Sequence, residues 1–225
     1  MATVLPPSLS QSIVVDAAGI ALPGDLTLAA HGSAVVVFAH GSGSSRNSPR
    51  NRAVAAALNA AGLGALLFDL LTPEEERLDR NSAALRFDVH MLGMRLEGAC
   101  RWLVRELGES ATTLGCFGAS TGAAAALRAA AAFPSGIAAV VSRGGRPDLA
   151  GEILPDVEAP TLLIVGGEDW PVIELNQRAR QWLRAPNELR IVEGASHLFE
   201  EPGALESVAR LAAEWFRRHL LGEPG

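Results

Sequence analysis

A serine, a histidine and an aspartate lie at points of the chain where a nucleophile could be assembled. Ser120 is the middle residue of a Gly-x-Ser-x-Gly stretch, and His197 and Asp169 each follow an apolar run. A serine hydroxyl attacks a carbonyl group only when a neighbouring base takes its proton, and a histidine base needs a carboxylate to fix its tautomer. The three residue types therefore predict acyl transfer by a Ser-His-Asp triad.

The elements that would position these residues alternate between strand and helix. From about residue 33 onward, β-branched apolar runs without polar alternation recur, separated by stretches with helical character. This alternation predicts an α/β fold with a mostly parallel central sheet and helices on both of its faces. The sequence has 225 residues with no evident linker or internal repeat, so we expect a single domain over residues 1–225.

The first half of the chain yields three local predictions. Two antiparallel strands are expected within residues 12–30, joined by a turn at the Leu-Pro-Gly-Asp stretch of residues 22–25. The charged stretch at residues 73–82 is expected to be a solvated loop. A long helix is expected to follow an N-cap at Ser82 and to run to about Leu107.

Chemistry in an open parallel sheet gathers at the carboxyl ends of the strands. Ser120 comes where a predicted strand ends and a predicted helix begins, which is the setting of a nucleophile elbow. Asp169 and His197 also follow predicted strands. Two other carboxylates remain alternatives for the acid: Glu168, adjacent to Asp169, and Asp148, after the preceding strand.

Composition and charge narrow the class of protein. A net charge of −6 without a basic block argues against a nucleic-acid partner, and 48% hydrophobic residues predict a sizeable core. No signal-peptide pattern or long uncharged apolar run is present, so we expect a cytoplasmic protein without a membrane partner. Cys100 and Cys116 lie outside any metal-binding spacing and are expected to be small buried side chains.

From about residue 12 to residue 220 the chain resembles the α/β-hydrolase superfamily. The serine elbow, the chain order Ser-Asp-His and the loop His-Gly-Ser-Gly-Ser-Ser at residues 40–45 carry this resemblance. In size, and in the short stretch where a cap would be inserted, the chain looks most like the dienelactone hydrolase branch and related small serine esterases. That branch uses a cysteine nucleophile, whereas the elbow here carries Ser120, and Cys116 lies four residues earlier inside a strand. Serine favours a general carboxylesterase over a dienelactone hydrolase.

The resemblance implies an α/β-hydrolase fold with a minimal lid or none, an open site and short acyl groups. It also implies an oxyanion hole formed by the backbone N–H groups of Thr121 and Ser42, with Gly43 as the alternative to Ser42. His40, which precedes this loop, is expected to hold it in place through hydrogen bonds.

Two further residues are candidates for contact with the substrate. Trp170, next to Asp169, could form a wall of the site. Arg143, together with Arg146 and the arginines of the loop after residue 40, would favour an acidic substrate, and the alternative is that these arginines are solvated or structural.

The predicted reaction needs no cofactor and no metal, and its substrate is a small-molecule ester. A monomer and a homodimer are both compatible with the sequence. The same triad also serves thioesterases, amidases and acyltransferases, and a non-catalytic binding protein with this fold is a further alternative.

Overall fold

The structure, a computed structural model, describes residues 9–29, 34–108 and 112–223. Its strands are β1 (Leu9–Ala17), β2 (Ile20–Leu28), β3 (Ala34–Ala39), β4 (Gly64–Phe68), β5 (Thr113–Ala119), β6 (Ile137–Arg143), β7 (Thr161–Gly166) and β8 (Asn187–Val192). Its helices are α1 (Pro49–Ala60), α2 (Pro73–Ser82), α3 (Val89–Leu107), α4 (Thr121–Ala132), α5 (Trp170–Ala179) and α6 (Ala204–Leu220). Short 3-10 segments lie at Leu85–Phe87 and Pro147–Asp156.

The strands of the described residues form one sheet in the order β1-β2-β4-β3-β5-β6-β7-β8. β2 pairs antiparallel with β1 and with β4, and every other neighbouring pair is parallel. The predicted α/β-hydrolase fold with a mostly parallel central sheet is thus confirmed. Because β3 to β8 run the same way, their carboxyl ends meet along one edge, where the loops of interest emerge.

Helices cover both faces of the sheet. α3 and α4 contribute to an apolar cluster on one face, and α1 and α6 contribute to a cluster on the other. β3 and β4 are buried along their whole length, as expected for strands between two helical layers. The connection from β6 to β7 contains the 3-10 segment Pro147–Asp156, which packs on α4. Residues 144–160 therefore form a compact connection and no inserted cap.

The first hairpin does not turn where the sequence predicted. Leu-Pro-Gly-Asp lies inside β2, and the strands join at Ala18 and Gly19, whose φ angles are 57° and 85°. Two successive positive φ angles give the tight turn that matches the twist of an antiparallel pair. Pro23 has no N–H group, but its carbonyl accepts the N–H of Asp69 at 3.1 Å, which ties this stretch to the sheet.

Residues 73–82 form helix α2 and not the expected loop. The Thr72 hydroxyl accepts the N–H of Glu75 at 3.2 Å, and the Glu75 carboxylate accepts the N–H of Thr72 at 2.8 Å. This reciprocal capping box starts the helix, and Pro73 suits its first position. Ser82 is consequently the last residue of α2, so the predicted N-cap at Ser82 is wrong. The long helix α3 begins at Val89 after Asp88, whose side chain accepts the N–H of Met91.

Among the helices of the described residues, none combines the length and the apolar composition needed to cross a bilayer.

Candidate active site

Ser120 occupies a sharp turn between the end of β5 and the start of α4. Its backbone has φ 51° and ψ −120°, a conformation that residues other than glycine rarely adopt. The Ser120 N–H donates to the carbonyl of Arg143 at 3.1 Å, and the Ser120 carbonyl accepts the N–H groups of Ala123 and Arg146 at 3.1 and 3.0 Å. These bonds hold the strained turn at the carboxyl edge of the sheet.

The elbow requires glycine at position 122. A Cβ atom added to Gly122 would lie 2.2 Å from the carbonyl oxygen of Ala39 and 2.7 Å from that of His40. Both oxygens belong to rigid backbone at the end of β3. Helix α4 can therefore start this close to the neighbouring strand only because Gly122 has no side chain.

His197 and Asp169 form a close pair at the same edge. His197 Nδ1 lies 2.6 Å from Asp169 Oδ2, and their side chains are 38% and 13% exposed. A Cβ on Gly166, at the end of β7, would come within 2.4 Å of the Ala195 carbonyl oxygen. The loop that carries His197 thus passes directly over the end of the strand that leads to Asp169. This close approach brings residues 28 positions apart into hydrogen-bond contact.

His197 also lies beside the elbow. A Cβ on Gly144 would be 3.6 Å from His197 Cε1, and Gly144 follows the residue whose carbonyl accepts the Ser120 N–H. Within the described part of the chain, no hydrogen bond joins Ser120 Oγ to the imidazole. Such bonds are often long in unliganded sites and shorten when substrate binds.

Neither of the two alternative carboxylates is the one that contacts His197. Glu168 is exposed, and Asp148 binds Arg146 through two hydrogen bonds of 2.9 and 2.8 Å. Asp169 is the carboxylate that contacts His197.

The loop after β3 is fastened to α4 by a contact that the sequence analysis missed. The Ser42 N–H donates to Thr121 Oγ1 at 3.0 Å, so the amide predicted for the oxyanion hole already has an acceptor. Among the described residues, the N–H groups of Thr121 and Gly43 have no hydrogen-bond acceptor. Gly43, the alternative weighed in the sequence analysis, therefore replaces Ser42 as the candidate for the second donor. The one sequence signal for this hydrogen bond is that the residue after the proposed nucleophile, Thr121, carries a hydroxyl group that can accept it.

His40 connects this loop to the end of β4. Its Nδ1 lies 3.0 Å from the Gly41 carbonyl, and its Nε2 lies 3.0 Å from the Leu70 amide nitrogen. An N–H can donate only to an unprotonated Nε2, so these two bonds are those of the neutral imidazole with its proton on Nδ1. Burial lowers the pKa of His40, although the Gly41 carbonyl and the Asp69 carboxylate oppose this effect.

A cavity of about 750 Å³ lies beside this loop. It is bounded by the loop, the start of α1, the end of β4 and α2, and its wall includes Ser42, Gly43, Leu71 and Glu76. Ser120 is not among its lining residues, but Gly41 is, and a Cβ added to Gly41 would lie 3.1 Å from the Ser120 Cβ.

The two predicted substrate contacts differ in exposure. Trp170 is the first residue of α5, directly after Asp169, and is 67% exposed. Arg143 is only 8% exposed and lies at the end of β6. Cys116 is fully buried within β5, with its Sγ 3.8 Å from that of Cys100, so the thiol does not reach the edge where Ser120 lies.

The sequence profile of the dienelactone hydrolase family matches residues 23–220. The chain belongs to this family. The crystal structure of a dienelactone hydrolase from Anabaena variabilis is 52% identical, with a TM-score of 0.92, and the match covers 94% of this chain and 98% of that one. Est1E of Butyrivibrio proteoclasticus shares the fold at 14% identity, with a TM-score of 0.75 over 93% of this chain and 99% of that one.

A third relative differs in length. A Mycobacterium tuberculosis protein, whose name proposes a phosphoribosyl transferase, is 53% identical over 220 residues. The match covers 98% of this chain but 48% of that protein. The present chain thus spans about half the length of the curated relatives that it matches.

Proposed function

We propose that this family member is a serine hydrolase that cleaves carboxylic esters through an acyl-enzyme. In this proposal Ser120 is the nucleophile, His197 the general base and acid, and Asp169 the residue that orients His197. The proposal rests above all on one observation: a serine at φ 51° heads helix α4, beside a His197–Asp169 pair with a 2.6 Å contact.

The proposed reaction begins when Ser120 Oγ attacks the ester carbonyl carbon while His197 Nε2 takes the hydroxyl proton. Asp169 accepts the hydrogen bond from Nδ1–H and stabilises the imidazolium that forms. The N–H groups of Thr121 and Gly43 bind the developing oxyanion. Collapse of the tetrahedral intermediate breaks the bond to the alcohol, which leaves with the proton from His197.

Water completes the proposed cycle. His197 takes a proton from water, which attacks the acyl carbon. Collapse of the second tetrahedral intermediate breaks the bond to Ser120 Oγ and releases the carboxylic acid, and Oγ takes the proton back from His197. Each step moves a proton that a named group can hold.

The accessible edge of the sheet supports small, soluble acyl groups. The connection between β6 and β7 is compact, and Trp170 is mostly exposed beside Asp169, as a wall of an open site would be. The names of the Anabaena variabilis protein and of an esterase domain from Rhodothermus marinus, which shares the fold at 21% identity, agree with hydrolysis. The name of the mycobacterial relative describes a protein of which the match covers 48%.

Hydrolysis of p-nitrophenyl acetate, butyrate and a longer-chain ester tests this proposal. We expect wild-type turnover to be highest on the short chains and Ser120→Ala to lower it by about 10⁴ or more. Cys116→Ala is the matched control, because it removes the other candidate nucleophile near the elbow; it should keep the wild-type rate. Equal rates in wild type and Ser120→Ala would contradict the proposal, and activity confined to thioesters or amides would favour the alternatives.

A further inference from the structure

The cavity beside the loop after β3 has two polar walls and an apolar part. The loop contributes hydroxyl and amide groups to one wall, from Ser44, Ser45, Asn47 and Ser48. Helix α2 and the 3-10 segment after it contribute charged groups to the other, from Glu76, Asp79, Arg80 and Arg86. The apolar part of the lining comes from the buried side chains of Leu70, Leu71 and Leu92. The volume of about 750 Å³ lies within the range of ligand pockets, about 300–1,000 Å³.

Ion pairs hold both polar walls in place. In the loop, the Arg46 N–H donates to Asp69 Oδ1 at 2.8 Å, and the Arg46 guanidinium pairs with the same carboxylate. On α2, Glu75 accepts two hydrogen bonds of 2.7 and 2.6 Å from the buried Arg95 of α3. Because both walls are fixed before a substrate arrives, the chemistry of the lining determines which ligand fits.

The charges of the lining cancel. Asp79 is 1% exposed and accepts a hydrogen bond from Arg86 Nε at 2.6 Å, so these two charges neutralise each other. Glu76 and Arg80 also carry opposite charges and lie one helical turn apart on the exposed part of α2. The His40 hydrogen bonds are those of a neutral ring. A single anionic or cationic group would therefore meet a like charge as well as an opposite one.

The serine hydroxyls of the loop keep hydrogen-bonding capacity for a ligand. The Ser45 hydroxyl accepts the Asn47 N–H at 3.2 Å, and the Ser48 hydroxyl accepts the Asn51 N–H at 3.3 Å. A serine hydroxyl also has a proton to donate. Across the described ranges of the chain, neither of these O–H groups donates a hydrogen bond. A neutral oxygen atom of a ligand can accept from them.

The order of the strands indicates which part of an ester the cavity receives. Ser120 follows β5, the cavity is built from the ends of β3 and β4 on one side of β5, and His197 follows β8 on the other side. Gly41 connects the cavity to the nucleophile, since a Cβ on Gly41 would lie 3.1 Å from the Ser120 Cβ. In the proposed mechanism His197 must protonate the leaving alcohol, so the alcohol lies on the His197 side. The acyl group then extends toward the cavity.

We propose that this cavity is the acyl subsite and that it selects an acyl group carrying a neutral hydroxyl over an alkyl or a charged acyl group of the same length. The substrate class named here rests on the proposed esterase function. The ligand hydroxyl exchanges hydrogen bonds with the loop serines and with the polar groups of α2, while its methylene groups pack against the buried leucines. The same polar lining disfavours long alkyl chains.

Four p-nitrophenyl esters of equal acyl length measure this selectivity. The heptanoate, 6-hydroxyhexanoate, 6-aminohexanoate and adipate monoesters end in a methyl, a hydroxyl, an ammonium and a carboxylate group. Each kcat/KM is divided by the rate of the same ester without enzyme. The hydroxyl ester should exceed the methyl ester by about fivefold, the effect of one net hydrogen bond, and should exceed both charged esters. A methyl or a charged ester at least as good as the hydroxyl ester would overturn the subsite.

Charge substitutions on α2 test whether the cavity is the place of selection. Glu76→Gln leaves the lining with a net positive charge, so kcat/KM of the carboxylate ester relative to the methyl ester should rise about threefold to fivefold. Arg80→Gln should do the same for the ammonium ester. Glu74→Gln and Arg77→Gln change exposed charges of the same helix outside the lining and should keep the wild-type ratios. Ratios that do not move in Glu76→Gln and Arg80→Gln would place the acyl group elsewhere.

Calorimetry separates this inference from the proposed function. 6-Hydroxyhexanamide and heptanamide, which cannot react as esters, are titrated into wild type, into Ser44→Ala/Ser45→Ala and into Ser207→Ala, a control on α6. If wild type hydrolyses no ester, the esterase proposal fails, and binding alone then decides the subsite. Tighter binding of the hydroxylated amide that weakens only in the double variant supports the subsite. Equal binding of the two amides by wild type, binding of neither, or an unchanged preference in the double variant refutes it.

Discussion

Replacing Asp169 by asparagine removes one negative charge from the proposed triad with little change in shape. The carboxylate lies 2.6 Å from His197 Nδ1, and its side chain is only 13% exposed. Loss of a charge about 4 Å from an imidazolium costs about 4 kcal/mol at an effective dielectric constant of about 20, or about a thousandfold in rate. An amide N–H turned toward Nδ1 would also force the ring proton onto Nε2, so we expect a loss of about 10⁴ in kcat.

The assay compares kcat and KM for p-nitrophenyl butyrate in Asp169→Asn and two matched variants. Glu168→Gln changes the adjacent, exposed carboxylate, and Asp148→Asn changes one that binds Arg146. Both should keep kcat near wild type. The loss in Asp169→Asn should fall on kcat with little change in KM, because the charge acts on the imidazolium of the transition state. If Asp169→Asn stays within about tenfold of wild type while either control loses activity, the assignment of the acid is wrong.

Three other substitutions test the scaffold of the site. Thr121→Val leaves the Ser42 N–H without its acceptor, so the loop after β3 that carries Gly43 should shift and kcat should fall about tenfold to a hundredfold. Thr121→Ser keeps the hydroxyl and should keep kcat near wild type. An unchanged kcat in the valine variant would refute the role of the hydroxyl. Gly122→Ala places a Cβ 2.2 Å from the Ala39 carbonyl oxygen, so kcat should drop by about a hundredfold and Tm should decrease. Wild-type kinetics would show that the turn at Ser120 can move to accommodate the Cβ without loss of activity. Burial lowers the pKa of native His40 below that of the unfolded chain, so the unfolded state binds the proton more readily and stability should fall as the pH drops below about 6.5. A plot of Tm against pH should show this loss in wild type and a flatter slope in His40→Gln; parallel slopes would contradict the argument.

The local sequence pattern was sufficient to predict most of the fold, because the composition of each buried strand distinguishes it from the helices and loops around it. Buried parallel strands read as unbroken apolar runs, and their alternation with helices permits few topologies. Local signals failed where two principles competed. Pro-Gly in β2 indicated a turn, but two positive φ angles at Ala18 and Gly19 formed it instead. The charge of residues 73–82 indicated a loop, but the Thr72–Glu75 capping box supports a helix.

The features of the candidate site also divide into those that the sequence determined and those that the tertiary structure decided. The sequence by itself determined which elements end in Ser120, Asp169 and His197, because the order of strands and helices puts their carboxyl ends at one edge. Only the tertiary structure decided which carboxylate contacts the histidine, that Thr121 accepts the Ser42 amide N–H, and that Arg143 is buried, with nitrogens that have no hydrogen-bond partner among the described residues. Those contacts join side chains from separate loops, and their distances depend on how closely the backbones approach one another. Periodicity and composition specify which face or edge a residue occupies, but only the packed backbone sets such distances.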